Sequence, residues 1–239
     1  MITRESIAKE LKGGSGFAAI GGEAMRLVVG QKALSEWPAF VESWNHLAID
    51  QHMADGGRFR RRRYGRFEVE RGDVARKPHG PHFQDVAYNG LNGGIDRWFE
   101  PITETIGRHP VLTRLIEQCG EVFAAASKTL ARRFDVEAHQ FRIEPTPNEI
   151  GKPTPEGMHR DGVDWAFVTL IARTGVAGGV TAIGDAEGRA LGSFTLSEPL
   201  DSVFLDDRRV RHGVTPIEIL DRNRPAYRDV LVLTFRRAG

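Results

Sequence analysis

Apolar positions change their spacing partway along this chain of 239 residues, and the change divides it into two halves. In the first half the clearest pattern has a helical period. Leu112, Leu115, Ile116, Cys119, Phe123, Ala126 and Leu130 recur at steps of three and four behind Pro110, a residue suited to a first helical turn. The spacing predicts a helix over about 110–133 whose apolar stripe lies against a sheet. Two shorter helices are predicted upstream. Thr3 or Ser6 can cap one that ends at Gly13 and Gly14, and Ser35, Pro38 and Glu42 mark another that runs through Leu47.

From Val136 onward the apolar runs are short and strand-like. Segments 138–144, 166–173, 180–183, 193–196, 202–205, 210–219 and 229–235 read as strands, punctuated by glycine, proline and aspartate at steps of roughly 8–12 residues. That is the pattern of a sandwich or barrel. The fold class is therefore mainly β with packed helices (α+β), an antiparallel jelly roll. Residues 145–157 carry Pro147, Asn148, Gly151, Pro153 and Pro155 and read as a rim loop, because strand signals flank them on both sides. With no repeat and no low-complexity segment, residues 1–239 are expected to form one domain.

Composition narrows the class of partner. An apolar content of 40% with 27% charge describes a soluble globular chain, and a net charge of +1 supplies no global attraction to nucleic acid or an anionic membrane. Cys119, the single cysteine, lies on the apolar stripe of the predicted helix and reads as a core residue. It cannot form an internal disulfide, which fits a reducing compartment. No apolar run approaches the roughly 20 residues needed to span a bilayer, and the N-terminus lacks the apolar segment of a signal peptide. The expected location is the cytoplasm and the expected partner a small molecule, with neither nucleic acid nor membrane.

The candidate chemistry lies in the strand-rich half. His159 and Asp161 are two residues apart, which puts both side chains on one side of an extended chain, and His212 follows about 50 residues later. Two imidazoles and one carboxylate on one face can hold Fe(II) with three positions left open. Gly213, beside His212, stands where a side chain would obstruct such a metal. Arg228 enters the run Val230-Leu231-Val232-Leu233, apolar at consecutive positions as in a strand buried on both faces. A guanidinium there is costly unless it meets an anion, and its planar fork matches a carboxylate. Two ligands, a third ligand and then a buried arginine is the order of a site that chelates 2-oxoglutarate on iron and anchors its far carboxylate.

Further polar positions suggest a substrate end. In the basic run, a strand would put Arg58, Arg60, Arg62, Tyr64 and Arg66 on one face and Phe59, Arg61, Arg63, Phe67 and Val69 on the other. Arg60 or Arg62 is expected to meet the carboxylate of a small substrate. The competing readings are a solvated edge strand blunted by arginine and a nucleic-acid patch. Gln140 and Arg142 share one face of their strand and line either the pocket or a polar exterior. His79 and His82 have no third ligand nearby in sequence and read as loop residues.

Most of the chain resembles the bacterial 2-oxoglutarate/Fe(II)-dependent hydroxylases of free L-amino acids, the family that includes L-isoleucine dioxygenase. The resemblance is carried by His139-Gln140-Phe141-Arg142, His159-Arg160-Asp161, the Gly178-Gly179 pair with Asp185, Ser197-Glu198-Pro199-Leu200, His212-Gly213-Val214-Thr215-Pro216 and Tyr227-Arg228-Asp229-Val230-Leu231. It continues upstream through Arg60, Arg62, Tyr64 and Arg66, then Phe83-Gln84 and Tyr88-Asn89. It implies a double-stranded β-helix, Fe(II) on His159, Asp161 and His212, and 2-oxoglutarate on Arg228. It also implies that O2 is consumed, 2-oxoglutarate becomes succinate and CO2, and a C–H bond of a free amino acid is hydroxylated. Segments 145–157 and 73–95 would then form a lid. The same triad is compatible with a cupin-like metal protein of other chemistry, an oxygenase acting on nucleic acid or protein, or a non-catalytic protein with a vestigial site.

Overall fold

Thr3 and Ser6 begin the fold as a reciprocal cap, each main-chain N–H donating to the other's hydroxyl at 3.0 and 3.2 Å. They open α1 (Arg4–Gly13), which leads into β1 (Phe17–Ile20), α2 (Gly22–Val29), α3 (Gln31–Leu34) and α4 (Trp37–Glu42). The helix expected through Leu47 is thus a short α-helix followed by a single 3-10 turn (Ser43–His46). The structure, a computed structural model, describes residues 3–53, 56–91, 93–127 and 133–238. Next come β2 (Ala48–Ile49), β3 (Arg60–Glu70), β4 (Asp73–Arg76), α5 (Glu104–Gly107) and α6 (Pro110–Ala126).

Helix α6 starts as its sequence predicts, with His109 Nδ1 accepting the Val111 N–H at 3.3 Å and Pro110 in the first turn. It stops sooner. Ser127 takes an extended conformation and its N–H closes onto Phe123 O at 2.9 Å, while Arg133 is already the first residue of a strand. Leu130, placed on the helical stripe by its spacing, lies outside the described residues. The remaining stripe is buried as expected, and Phe123 stacks on Trp165 and meets Phe235 edge-on, at centroid separations of 5.3 and 4.9 Å.

The strand-rich half contains β5 (Arg133–Ile143), β6 (Trp165–Thr174), β7 (Val176–Gly178), β8 (Val180–Asp185), β9 (Ala190–Thr195), β10 (Ser202–Asp206), β11 (Val210–Val214), β12 (Ile217–Ile219) and β13 (Tyr227–Arg237). The single strand expected over 210–219 is two, because Pro216 has no N–H to give a ladder. All pairings between these strands are antiparallel.

One large sheet runs β1-β10-β6-β13-β5-β3-β2, with β4 also on β3; smaller sheets run β11-β8-β9 and β12-β7. Helices cover one face of the large sheet with the main apolar core, in which Phe67, Phe134, Phe167, Leu231 and Leu233 are buried. The smaller sheets close over its other face through Ala166, Ile183, Val203, Leu205 and Val210. The cavity lies between these two layers. Among the described residues no helix is long and apolar enough to cross a membrane.

Candidate active site

Register across the large sheet decides which side chains reach the cavity. Ile143 pairs with Arg228 on one side and Arg60 on the other, and Phe141 pairs likewise with Val230 and Arg62. Val232, Val168 and Val203 form a third row. All of these line one cavity of about 130 Å³, together with Thr181, His212 and Val214 from the smaller sheet and His159 from the loop between β5 and β6. Arg60 and Arg62 are therefore wall residues in an interior strand. The edge-strand alternative fails, since β3 has β5 on one side and β2 and β4 on the other.

His159, Asp161 and His212 converge. Their ligand atoms lie within 4.8 Å of one another, with His159 Nε2 at 3.4 Å from Asp161 Oδ1 and His212 Nε2 at 3.8 Å from Asp161 Oδ2. Neighbouring ligands of a metal bound at roughly 2.1 Å stand about 3 Å apart, so small side-chain adjustments close the set around one ion. His159 Nδ1 is 2.9 Å from Gly157 O; donation to that carbonyl leaves the Nε2 lone pair directed at the metal position. The residues present fit a ferrous ion.

Proton affinities reflect the crowding. Burial opposes charge on His159, but its hydrogen bond to Asp161 and the charges of Asp161 and Glu156 prevail and hold it up at about 9. His212 moves the other way, down to about 4, through burial and repulsion by His159. Burial would raise Asp161, yet the two histidines hold its carboxyl well below the ordinary range. A carboxylate beside one cationic and one neutral imidazole is already arranged for a metal to displace the shared proton.

Asp207, which carried no sequence signal, fixes the loop that presents Asp161. Its Oδ1 accepts the N–H of Asp161 at 2.9 Å, and its Oδ2 accepts those of Gly162 and Val163 at 2.8 and 3.1 Å. Burial and the nearby Asp161 charge push Asp207 up to about 7. Gly213, expected to clear space for a metal, also lies against the loop that carries His159. A side chain there would press on Gly157 O and Met158 Sδ, each 3.0 Å from a Cβ position, so the glycine admits the loop carrying His159.

Arg228 is 2% exposed, and its Nε and Nη2 have no hydrogen-bond partner among the described residues. Burial, followed by repulsion from Arg173, lowers it to about 10. Arg173 was not anticipated; it donates to the carbonyls of Val176 and Gly178 at 3.1 and 2.8 Å. Gly179, at φ 72°, leaves room for both arginines, since a Cβ would lie 2.9 Å from Arg173 Nη1 and 3.6 Å from Arg228 Cδ. A buried cation with unused donors, backed by a second cation, requires an anion. The far carboxylate of 2-oxoglutarate fits.

At the other end, Asp50 has no exposed side-chain surface, accepts from Arg60 Nε at 2.7 Å and lies 3.8 Å from Arg62 Nη1. Arg62 Nη2 donates to His139 Nδ1 at 2.7 Å, and its guanidinium lies 3.6 Å from the Phe99 ring centre and 4.6 Å from that of Phe141. His82, Glu137 and His139 also bring ligand atoms within 4.8 Å. Here Arg62 already occupies His139 Nδ1, and burial with the nearby charges of Arg62, His82, Arg97 and Arg60 pushes His139 well below its usual range. Glu137 instead accepts the Tyr64 hydroxyl, and the group supports Arg62 from below. His82 is thus more than a loop residue.

Gln140 and Arg142 require correction. They leave the opposite face of β5, toward the helices: Gln140 Nε2 donates to Ser43 Oγ at 2.8 Å, and Arg142 donates twice to Asp229 at 2.7 Å and once to Asn45 Oδ1 at 2.9 Å. Neither lines the cavity, nor do they form a polar exterior, being 1% and 8% exposed. The lid expectation for 73–95 also shifts, because 73–76 pairs as β4 on β3. The following loop supplies His82, Gln84, Asn89 and Arg97 to the cavity, and 145–157 supplies Pro153, Thr154 and Glu156.

Comparison with known proteins gives this geometry relatives. The family model described as 2OG-Fe dioxygenase matches residues 41–234. A 3(1)-hydroxy-L-isoleucine 4-dioxygenase of Pantoea ananatis (strain AJ13355) is 26% identical over 218 residues, 90% of this chain and 87% of that protein. Among solved structures, a bsmA homolog from Methylobium petroleophilum PM1 superposes with a TM-score of 0.89 at 38% identity, covering 100% of this chain and 94% of the other. IDO from Bacillus thuringiensis superposes with a TM-score of 0.81 at 20% identity, covering 100% and 97%, a likeness of fold.

Proposed function

This chain belongs to the 2OG-Fe dioxygenase family, and from that premise we propose that it hydroxylates a C–H bond of a free L-amino acid. The enzyme is a 2-oxoglutarate-dependent dioxygenase using Fe(II), 2-oxoglutarate and O2. In the reaction R–H, O2 and 2-oxoglutarate become R–OH, succinate and CO2. The bound ferrous ion supplies the centre at which O2 is activated.

The chain's own groups have separable tasks in this reading. His159, Asp161 and His212 hold the metal, and Gly157 O orients His159. Arg228 receives the far carboxylate of 2-oxoglutarate. Arg60 and Arg62 give the opposite wall a positive potential, and the valine rows between exclude water from the oxidising centre. One observation carries the reading: Arg228 is buried with two unpartnered donor nitrogens in the same cavity as His159 and His212. Cupin chemistry of another kind leaves that guanidinium without a purpose. The amino-acid substrate is supported by the Pantoea relative, whose name specifies a hydroxylated L-isoleucine.

The test is a single assay. Enzyme reconstituted anaerobically with Fe(II) and 2-oxoglutarate is exposed to O2 with a panel of free L-amino acids. Product gaining one oxygen atom, matched by succinate, is expected for at least one of them. Succinate formation that never depends on any amino acid would move the substrate elsewhere, and no consumption of 2-oxoglutarate at all would sink the reading.

A further inference from the structure

Once the metal, Arg228 and the Asp50 pairs are accounted for, one carboxylate and one guanidinium in the cavity still carry a buried atom without a hydrogen-bond partner among the described residues. One is Glu156, three residues before His159. Its Oε2 is buried with no hydrogen-bond partner among the described residues, and its Oε1 lies 3.6 Å from His159 Nε2. The other is Arg97, 2% exposed, whose Nε has no partner and whose Nη2 reaches only the neutral Gln84 Oε1, at 3.3 Å. Arg60 and Arg62 differ, because both are engaged with Asp50. A carboxylate with a buried, unused oxygen and a buried guanidinium with an unused nitrogen are each costly, and each is relieved by a group of opposite charge.

The two belong to different loops that meet over one cavity. Main-chain hydrogen bonds between His82 and Arg97 at 2.9 and 3.0 Å pin the Arg97 loop, and Glu156 precedes the backbone pairing of His159 with His212. The charge of Glu156 is felt at Arg97, yet the two form no ion pair of their own. A molecule carrying a cation and an anion on one carbon would satisfy both. Beyond them the wall is aliphatic, with Val168, Val203, Leu205 and Val214.

Resting on the hydroxylase reading, we propose that the cavity takes its substrate as an aliphatic α-amino-acid zwitterion, with Glu156 receiving the ammonium and Arg97 the carboxylate. Glu156, 3.6 Å from His159, would hold the ammonium at the histidine end of the cavity, and the aliphatic wall would receive the side chain. Substrates acylated on nitrogen, or joined to a carrier through the carboxyl carbon, each leave one of the two charges unmatched. Glu156 and Arg97 thus specify a free amino acid, a distinction that the metal and cosubstrate residues cannot make.

The test measures binding without turnover. Protein loaded with Co(II) and 2-oxoglutarate under anaerobic conditions is titrated calorimetrically with L-valine, L-leucine and L-isoleucine, and with their N-acetyl and carboxamide derivatives. Wild type is expected to bind at least one zwitterion about 10-fold or more tightly than either derivative. Glu156→Gln should weaken the zwitterion by a similar factor and leave the N-acetyl form unaffected. Arg97→Met should weaken the zwitterion and spare the carboxamide. Co(II) stoichiometry and 2-oxoglutarate affinity serve as folding controls, with Glu156→Asp and Arg97→Lys in reserve if either first variant fails to fold. Equal losses across all ligands, or none, would overturn the assignment, as would loss of Co(II) from Glu156→Gln, which would make Glu156 part of the metal shell. Wild type that consumes 2-oxoglutarate but binds no zwitterion removes this proposal alone, whereas wild type that never consumes 2-oxoglutarate removes the reading beneath it.

Discussion

His159 and His212 are joined through their main chains, each N–H donating to the other's carbonyl at 2.9 Å, so that their rings stand 4.4 Å apart between centroids. Two members of the proposed metal-binding group, 53 positions apart in the sequence, are thereby held in register by backbone pairing. The third, Asp161, is placed by the three N–H groups that Asp207 collects. The group is organised before any ion arrives.

Removing one imidazole should therefore abolish function through the metal and leave the fold intact. For His212→Ala we expect Fe(II) or Mn(II) affinity to fall by more than about 100-fold, since even outer-sphere changes cost 10–100-fold. Circular dichroism should be unchanged. Titration of the metal by equilibrium dialysis decides the matter, and full occupancy in the variant would show that His212 is not a ligand.

Asp207 should behave as a positioning residue. Asp207→Ala leaves three N–H groups without their acceptor, and metal affinity is expected to fall roughly 10–100-fold with a lower Tm. Asp207→Asn retains one acceptor oxygen and should recover part of the loss. Equal metal binding in all three proteins would mean that the loop holds its shape unaided.

Arg228 offers a test in which stability and function move in opposite directions. An unpartnered buried guanidinium destabilises the protein without cosubstrate, so Arg228→Met should match or exceed the wild-type Tm in the absence of 2-oxoglutarate. With 2-oxoglutarate the wild type should gain Tm and the variant should not. The concentration of 2-oxoglutarate needed for half-maximal turnover should rise about 10–100-fold. An unchanged requirement would free Arg228 from the role.

Acid should expose the Asp50 pairs. Burial alone would raise this carboxyl, but Arg60, Arg62 and the His52 N–H hold it below its ordinary value of 3.8. The unfolded chain then binds the proton more tightly, so the stabilisation is fully present above about pH 4 and is lost as pH falls through the lower folded value. Asp50→Asn should be less stable than wild type by about 3 kcal/mol or more at neutral pH, with the gap narrowing in acid. Chemical denaturation at stepped pH measures it, and a gap that does not change with pH would contradict the sign.

These residues were unequally legible in the sequence. His159, Asp161, His212 and Arg228 could be read because each combines an uncommon residue type with a pattern that demands a partner. Strand parity put Arg60 and Arg62 on one face, and the family resemblance singled that face out; both line the cavity. The same parity failed for Gln140 and Arg142, because β5 lies mid-sheet with both faces buried, one by helices and one by the cavity. A buried bidentate pair with Asp229 satisfies Arg142 as well as a substrate would. Glu156, Arg97 and Asp207 stand in loops or turns, where no periodicity assigns direction, and only the folded chain brings them to the site.

Strand β13 places Arg228 toward the cavity and Asp229, its next residue, against Arg142 on the reverse side. A slip of one residue in this strand would exchange them, presenting an acid at the position proposed for the dicarboxylate and stranding two like charges among the helices. The polarity of the chamber is thus inherited from an odd-or-even choice made at the centre of the sheet, and the Arg142–Asp229 clasp on the far side guards that choice.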